Sequence, residues 1–130
     1  MIVPDASAMI EWLLHSSAGL RIDRRILRSG ETLHAPHLLD AEVAQVLRRY
    51  VATGILVARR AEEALQDLLD LRIRRYGHTP LLRRVWELRD NLTAYDALYV
   101  SLAEALGATL LTRDARLASA PGHRARIQVI

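Results

Sequence analysis

The chain of 130 residues is long enough for a single domain, residues 1–130, whose hydrophobic core needs no covalent or metal support. It has no cysteine, which excludes disulfides and cysteine-ligated zinc sites. All eighteen basic residues are arginine and the net charge is +3, so lysine-dependent reactions are excluded and phosphate binding is favoured. No apolar run reaches the length of a membrane span, and the N-terminal residues lack a signal-peptide pattern, so we expect a cytoplasmic protein.

Alternating strand and helix patterns predict an α/β fold, in which a mainly parallel sheet of four to five short strands carries helices on both faces. The predicted elements are a strand over residues 1–5, helices over 7–15 and 20–27, a strand over 32–36, helices over 40–53 and 58–71, a strand or loop at 73, helices over 81–89 and 93–106, a strand over 108–112, a helix over 115–119 and a strand over 127–130. The helix over 93–106 is apolar nearly all round, which indicates an interior position against the sheet.

Four carboxylates are predicted to lie near one edge of this sheet. Asp5 and Asp114 follow predicted strands at their carboxyl ends, where ligands bind in open parallel sheets. Glu42 lies in the first turn of the helix after the second strand, and Asp96 lies in the first turn of the buried helix. The topology therefore brings four acids that are distant in sequence toward one rim.

Each acid also has a purely structural explanation when it is considered alone. Asp5 and Asp114 are suitable N-caps, residues 93–96 form a capping-box pattern, and Glu42 interacts favourably with a helix dipole. A cap needs no second acid beside it, whereas a cluster has an electrostatic consequence. Two carboxylates about 4 Å apart repel by roughly 4 kcal/mol at an effective dielectric constant of about 20, so a cluster takes up protons or holds a cation.

The oxygen-only composition of this cluster predicts Mg²⁺ or Mn²⁺, which activate water for phosphodiester hydrolysis. Ser7 either hydrogen-bonds a carboxylate or metal-bound water, or caps its helix. Thr112 and Arg113 precede the last acid, and Arg113 either reaches a substrate phosphate or pairs with an acid of the cluster. Arg49 lies seven residues after Glu42, on nearly the same helical face, where it is placed to hold an RNA backbone.

At these residues the sequence resembles the PIN-domain family, in particular its bacterial VapC toxin branch, and the resemblance covers essentially the whole chain. Its most specific part is NLTAYDALYV over residues 91–100, followed by LLTRD over residues 110–114. The segments over residues 3–8 and 42–49 are weaker matches in the expected order. Pro4 departs from the family, where another apolar residue is usual, and we expect it to shorten the first strand.

The resemblance implies a three-layer α/β/α sandwich in which Asp5, Glu42, Asp96 and Asp114 are the metal-site acids. It implies an endoribonuclease that acts as a toxin and cleaves structured RNA, such as tRNA or rRNA. It further implies a homodimer and a cognate VapB-like antitoxin whose tail covers the acidic site.

The predicted helical hairpin over residues 40–71 is a candidate for the dimer face and for antitoxin docking. This interpretation rests on four apolar residues along the two helices: Val46, Leu47, Leu65 and Leu68.

Two alternative functions stay open at this point. Some PIN domains are inactive scaffolds that bind nucleic acid or protein, but the presence of all four acids favours catalysis. A DNase or flap-type nuclease is disfavoured because the chain has no room for an inserted DNA-binding arch. Receiver domains and haloacid-dehalogenase phosphatases are poor candidates because they need a lysine, and no Gly-x-Ser-x-Gly elbow supports a serine hydrolase.

Overall fold

A computed structural model describes the backbone of residues 1–130 and the side chains of residues 1–27 and 30–130. Its elements, in chain order, are β1 (Ile2–Pro4), α1 (Ala6–Leu13), α2 (Ser17–Ser29), β2 (Leu33–Pro36), α3 (Leu38–Ala52), α4 (Ala58–Asp70), β3 (Ile73–Tyr76), a 3₁₀ turn (Thr79–Leu81), α5 (Leu82–Glu87), α6 (Ala94–Leu106), β4 (Thr109–Thr112), α7 (Ala115–Ser119) and β5 (Arg126–Val129). None of the helices described has the length and hydrophobicity that a membrane span requires.

The five strands form one sheet in the order β3-β2-β1-β4-β5, and every neighbouring pair is parallel. The strand β1 lies at the centre, where Val3 pairs with Leu110 of β4. Because all strands run the same way, their carboxyl ends meet at a single rim. The predicted α/β fold is confirmed, and the mainly parallel sheet is parallel throughout.

Helices cover both faces of the sheet. The helices α1 and α3 pack on each other and on the sheet, while α6 packs across β2, β1 and β4. Right-handed crossovers place them on opposite faces, since the chain moves toward one edge after β1 and toward the other edge after β3. Seven consecutive residues of α6, Ala97–Ala103, are buried, as the all-round apolar pattern predicted. The three-layer α/β/α sandwich is therefore confirmed.

The strand β1 is short and ends at a proline, as the sequence predicted. It covers only Ile2–Pro4, and Pro4 pairs with Leu111. The amide of Asp5 then donates to the carbonyl of Leu111 at 3.0 Å, so the chain stays in register with β4 for one more residue. This contact fixes the position of Asp5 relative to the sheet.

The second helix begins earlier than its apolar pattern suggested. Ser16 caps it by accepting a hydrogen bond from the amide of Gly19 at 3.0 Å, so α2 begins at Ser17. Gly19 lies so close to α1 that a Cβ atom there would be 2.0 Å from the carbonyl oxygen of Glu11. Only glycine fits this crossing, and the pattern of apolar residues carries no signal for it.

The helical hairpin of α3 and α4 is present, but its apolar residues are divided differently from the prediction. Leu47 and Leu68 are buried in the core of the chain itself, at 4% and 1% exposure. Leu65 and Leu69 are exposed instead, at 39% and 64%. Only the second pair is available for contact with another molecule.

The helix predicted over residues 81–89 is a 3₁₀ turn followed by the short helix α5, which ends at Glu87. Its anchor is Arg84, which makes a two-pronged ion pair with Glu104 of α6 at 2.8 and 3.1 Å. Arg84 also donates to the carbonyl of Gly122 at 3.0 Å, and Glu104 accepts from the amide of Arg124 at 2.6 Å. One ion pair therefore joins α5, α6 and the segment before β5.

We expect Arg84→Met to lower the free energy of unfolding by about 2 kcal/mol, because it leaves the largely buried Glu104 carboxylate without its charged partner. Hydrogen bonds from Arg84 lower the pKa of Glu104 below 4.5. This stabilisation is therefore present above that value and is lost as the pH falls through the folded-state pKa.

Urea unfolding at several pH values measures this dependence. The stability lost on acidification should be smaller in Arg84→Met than in the wild type. The control is Arg83→Met, a change of the same size at a neighbouring exposed arginine. Equal stability of the two variants at neutral pH would contradict the assigned role of the ion pair.

Candidate active site

All four acids lie at the rim formed by the carboxyl ends of the strands. Asp5 follows β1 and Asp114 follows β4, and each caps the helix that comes next. Asp96 lies in the first turn of α6. Glu42 lies in the second turn of α3 and not in the first, because that helix begins at Leu38, two residues earlier than predicted.

The early start of α3 has a clear cause. Nε2 of His78 accepts a hydrogen bond from the amide of Leu38 at 3.1 Å and satisfies one of the free donors at the helix end. Asp40, in the first turn of α3, pairs with Arg75 through two hydrogen bonds of 2.7 and 2.9 Å. The outcome is that Asp40 is neutralised by an arginine, whereas Glu42 is not.

Asp5 is buried and is held in place by its own helix. Its Oδ1 atom accepts hydrogen bonds from the hydroxyl of Ser7 at 2.6 Å and from the amide of Ala8 at 2.9 Å. The hydroxyl of Ser7 in turn accepts from the amide of Arg113 at 2.9 Å. Ser7 therefore joins the first acid to the segment that carries the last one, which agrees with its predicted bond to a carboxylate, while the cap itself is Asp5.

Glu42 is oriented from the opposite layer of the fold. The hydroxyl of the buried Tyr99, on α6, donates to Oε1 of Glu42 at 2.9 Å. Burial and the neighbouring Glu42 carboxylate raise the pKa of Tyr99, so the phenol stays protonated and acts as a donor. The role of Tyr99 was not predicted from the sequence, although Tyr99 lies three positions after Asp96 and therefore on the same helical face.

The two partly buried acids show the mutual repulsion expected of a cluster. Burial raises the pKa of Glu42, and the charges of Asp96 and Asp5 raise it further. Burial also raises the pKa of Asp96, with added contributions from Asp5 and Asp114. The four carboxylates thus act on one another through space, although they come from four separate segments.

Asp114 has the opposite behaviour because it is more exposed and better paired. The amide of Arg116 donates to its Oδ1 atom at 2.9 Å and lowers the pKa of the carboxyl, and Nε of the same arginine lies 3.3 Å away. The amide of Asp114 itself donates to the buried hydroxyl of Thr112 at 3.0 Å. Thr112 therefore shapes the turn that carries Asp114 and is not exposed to a substrate.

The carboxylates of the four acids do not converge closely enough to form a metal site as they stand. Among the side chains described, no three of His, Cys, Asp or Glu lie close enough together to hold a metal ion as they stand. Oδ2 of Asp5 and Oε2 of Glu42 have no hydrogen-bond partner among the described residues. The chemistry of the donor set, carboxylate oxygens and one hydroxyl, suits a hard cation such as Mg²⁺ or Mn²⁺.

The guanidinium of Arg113 contacts Glu11 and Ile130, neither of which belongs to the four acids. Its Nε atom lies 3.8 Å from Oε1 of Glu11, and its NH1 group donates to the carbonyl of Ile130 at 2.8 Å. The expectation that Arg113 pairs with an acid of the cluster is therefore wrong, because its partner is Glu11 on α1. No motif singled out Glu11, whose contact with Arg113 depends on the tertiary fold.

The comparisons with known proteins identify the family of the chain. The family model described as "PIN domain" matches residues 2–122. The chain belongs to the PIN-domain family. Among curated relatives of this PIN-domain chain, Ribonuclease VapC1 of Mycobacterium tuberculosis is 44% identical over 98% of the chain and 96% of its own length. Ribonuclease VapC9 of the same organism is 43% identical over 100% of the chain and 98% of its own length. The predicted place of the chain among VapC ribonucleases is confirmed.

Solved structures of PIN-domain proteins share the fold. PAE2754 from Pyrobaculum aerophilum superposes with a TM-score of 0.74 at 27% identity, over 99% of this chain and 83% of its own. VapC20 from Mycobacterium tuberculosis, described as a sarcin-ricin-loop-cleaving toxin, superposes with a TM-score of 0.68 at 16% identity, over 95% of this chain and 97% of its own. At that identity the likeness to VapC20 concerns the fold.

We expect Asp96→Asn to raise the melting temperature of the protein in EDTA, because it removes a charge that burial and neighbouring acids destabilise. A raised carboxyl pKa means that folding destabilises the charged form of Asp96 relative to its protonated form. The wild type therefore gains stability as the pH falls and Asp96 takes up a proton. The difference between the two proteins should therefore shrink on acidification.

Thermal unfolding in EDTA across a pH series measures this effect. Asp90→Asn, at a strongly exposed acid of the loop before α6, is the matched control and should change little. A melting temperature for Asp96→Asn at or below that of the wild type at neutral pH would show that the acids do not repel one another in the fold.

Proposed function

We propose that this chain is the toxin of a VapBC-type pair and that it hydrolyses phosphodiester bonds in structured RNA with Mg²⁺ or Mn²⁺. The observation that carries the proposal is the position of Asp5, Glu42, Asp96 and Asp114 at one rim of a PIN-domain sheet. Ribonuclease relatives that match nearly the whole chain support the class of reaction.

Asp5, Glu42, Asp96 and Asp114 are the proposed metal ligands. Burial and the neighbouring carboxylates raise the pKa values of Glu42 and Asp96, and a bound divalent ion would stabilise the charged form of both. When bound, the ion supplies an activated water and neutralises charge on the phosphodiester. The proposed ligand atoms include Oδ2 of Asp5 and Oε2 of Glu42, since Oδ1 and Oε1 already accept hydrogen bonds from Ser7 and Tyr99.

The protein residues around the acids orient them in this proposal. Tyr99 fixes Oε1 of Glu42, so that Oε2 is left for a cation or for a proton. Ser7 fixes Oδ1 of Asp5 and, through the amide of Arg113, the distance between the segments that carry Asp5 and Asp114. Rigid support of this kind reduces the reorganisation that the site needs when substrate binds.

A structured RNA such as tRNA or rRNA is the proposed substrate. The net charge of +3 and an arginine-only basic set favour phosphate contacts over base-specific ones. VapC20, which has the same fold, is described as cleaving the sarcin-ricin loop. The target of the present chain is expected to lie in the same class of folded RNA.

A VapB-like antitoxin and a second copy of the chain are the proposed protein partners. The structure of VapBC2 from Rickettsia felis, with a TM-score of 0.74 at 16% identity, is described as a VapBC complex bound to promoter DNA. In the present chain, the α3–α4 hairpin carries four exposed large apolar side chains, namely Ile55, Val57, Leu65 and Leu69. An apolar surface of this kind is typical of a protein–protein interface.

We expect the purified wild-type chain to cut total cellular RNA into discrete fragments with Mg²⁺ or Mn²⁺ and to be inactive in EDTA. Asp96→Asn should lower the rate by about a hundredfold or more, since electrostatic stabilisation by such a site is worth several kcal/mol. Gel analysis of the RNA, with circular dichroism to confirm folding, measures both effects.

Asp90→Asn serves as the control, because it makes the same chemical change in an exposed loop near the site. Fragments of equal yield from the wild type and Asp96→Asn would refute the assignment of the acids. Binding of RNA without cleavage in either metal would favour the alternative, an inactive PIN-like binding module.

We expect Leu69→Glu to weaken self-association without loss of folding, because Leu69 is 64% exposed and lies outside the core. Analytical ultracentrifugation measures the oligomeric state. The matched control is Gln66→Glu, which adds a charge at a nearby exposed position of α4. A dimer that persists in Leu69→Glu would move the interface away from this part of the hairpin.

A further inference from the structure

A cleft of about 320 Å³ lies between α1 and α3, and Glu42, one of the four acids, lines it. Glu42 and Ser7 belong both to its wall and to the acid site. The remaining polar wall is formed by Glu11, Arg49, Tyr50 and Arg113. The acids of the candidate active site are thus continuous with a concave surface that carries two arginines.

Arg49 is available for a ligand. It is exposed, and among the described residues it makes no ion pair with an acid. Its guanidinium lies 5.8 Å from the centre of the Tyr50 ring, which holds the cation at the cleft without neutralising it. Glu42 and Arg49 are separated by two helical turns, about 10 Å along the axis.

Arg113 reaches the same cleft from the sheet. Its guanidinium contacts Glu11 of α1 and the carbonyl of Ile130, and it lines the cleft together with Arg49. An arginine carries five N–H donors, and these two contacts leave others free for a ligand. The two cations therefore come from different layers of the fold and meet at one opening.

We propose that this cleft binds an RNA phosphate that flanks the cleaved bond, with Arg49 and Arg113 as its ligands and Tyr50 beside the attached nucleoside. The inference rests on the proposed ribonuclease activity at the neighbouring acids. Negative charge is needed at Glu42 to hold a cation at the cleaved bond. Positive charge is needed at the neighbouring phosphate to hold the RNA backbone. The change of sign from Glu42 to Arg49 on one helix meets both requirements.

Arg48 offers a control within the same helix. It is exposed like Arg49, but it lines a separate apolar groove between α3 and α4. Arg48→Gln and Arg49→Gln remove the same charge from adjacent positions. If RNA binding depends on a diffuse basic surface, the two changes weaken it equally. If it depends on a phosphate site at Arg49, Arg49→Gln weakens it and Arg48→Gln does not.

The experiment measures binding of a fluorescein-labelled single-stranded RNA by anisotropy in EDTA, over a series of salt concentrations. We expect Arg49→Gln to weaken binding about tenfold and to reduce the slope of log K against log salt by about 0.7, the value for one phosphate contact on a single strand. Arg48→Gln should leave both quantities near the wild-type values. Equal losses in the two variants would overturn the proposal.

A second measurement uses RNA with one uncharged methylphosphonate linkage, moved stepwise from the cleaved bond. In the wild type, one flanking position should raise KM about tenfold with little change in kcat. In Arg49→Gln, the same replacement should have no further effect, because the contact is already lost. Additive effects of the two changes would overturn the assignment of Arg49 to that phosphate.

Glu11 is assigned as a positioning residue for Arg113. Glu11→Gln should weaken RNA binding in the wild-type background but not in an Arg113→Gln background. If Arg49→Gln weakens RNA binding more than Arg48→Gln does, but the wild type cleaves no RNA, the phosphate site is supported and the nuclease assignment is refuted. If the wild type cleaves RNA but the two variants bind RNA equally well, the nuclease assignment stands and the phosphate site is refuted.

Discussion

Repulsion among four carboxylates held at one rim of a parallel sheet is the constraint on which the rest of this structure depends. Asp5, Glu42, Asp96 and Asp114 lie on four segments, and the fold keeps them at one rim although burial, together with the neighbouring acids, raises the pKa values of Glu42 and Asp96. The chain meets this cost with local support, since Ser7 and Tyr99 each hold one oxygen of an acid. A divalent cation is the natural counterpart of such an arrangement.

Arginines neutralise some of the acids at this rim and not others. Asp40, outside the cluster, is paired with Arg75, and Asp114, within it, is paired with Arg116, whereas Asp5, Glu42 and Asp96 have no arginine partner among the described residues. Beyond Glu42 the sign changes, and Arg49 stands at the cleft next to the acids. The pattern is one that a polyanionic strand requires when its backbone must approach an acidic site.

The fold and the positions of the acids could be predicted because they depend on local patterns. Sequence patterns located four of the five strands, while the segment at residue 73 was left open between strand and loop. The apolar pattern of α6 predicted its burial. What escaped prediction depends on contacts between distant segments. Arg113 pairs with Glu11, and His78 accepts a hydrogen bond from the first amide of α3. Tyr99 orients Glu42 from another helix. Each of these contacts joins residues that are far apart in the sequence. The four metal ligands and the RNA target remain predictions.

Three of the four acids stand at helix beginnings, and two of them, Asp5 and Asp114, cap the helix that follows. Asparagine caps a helix about as well as aspartate does, but it carries no charge. An exchange of Asp5 or Asp114 for asparagine therefore leaves the architecture intact while it removes a proposed ligand. Descendants of such a chain have a short evolutionary path from an enzyme to an inert but well-folded binding protein, because stability does not select against the first step.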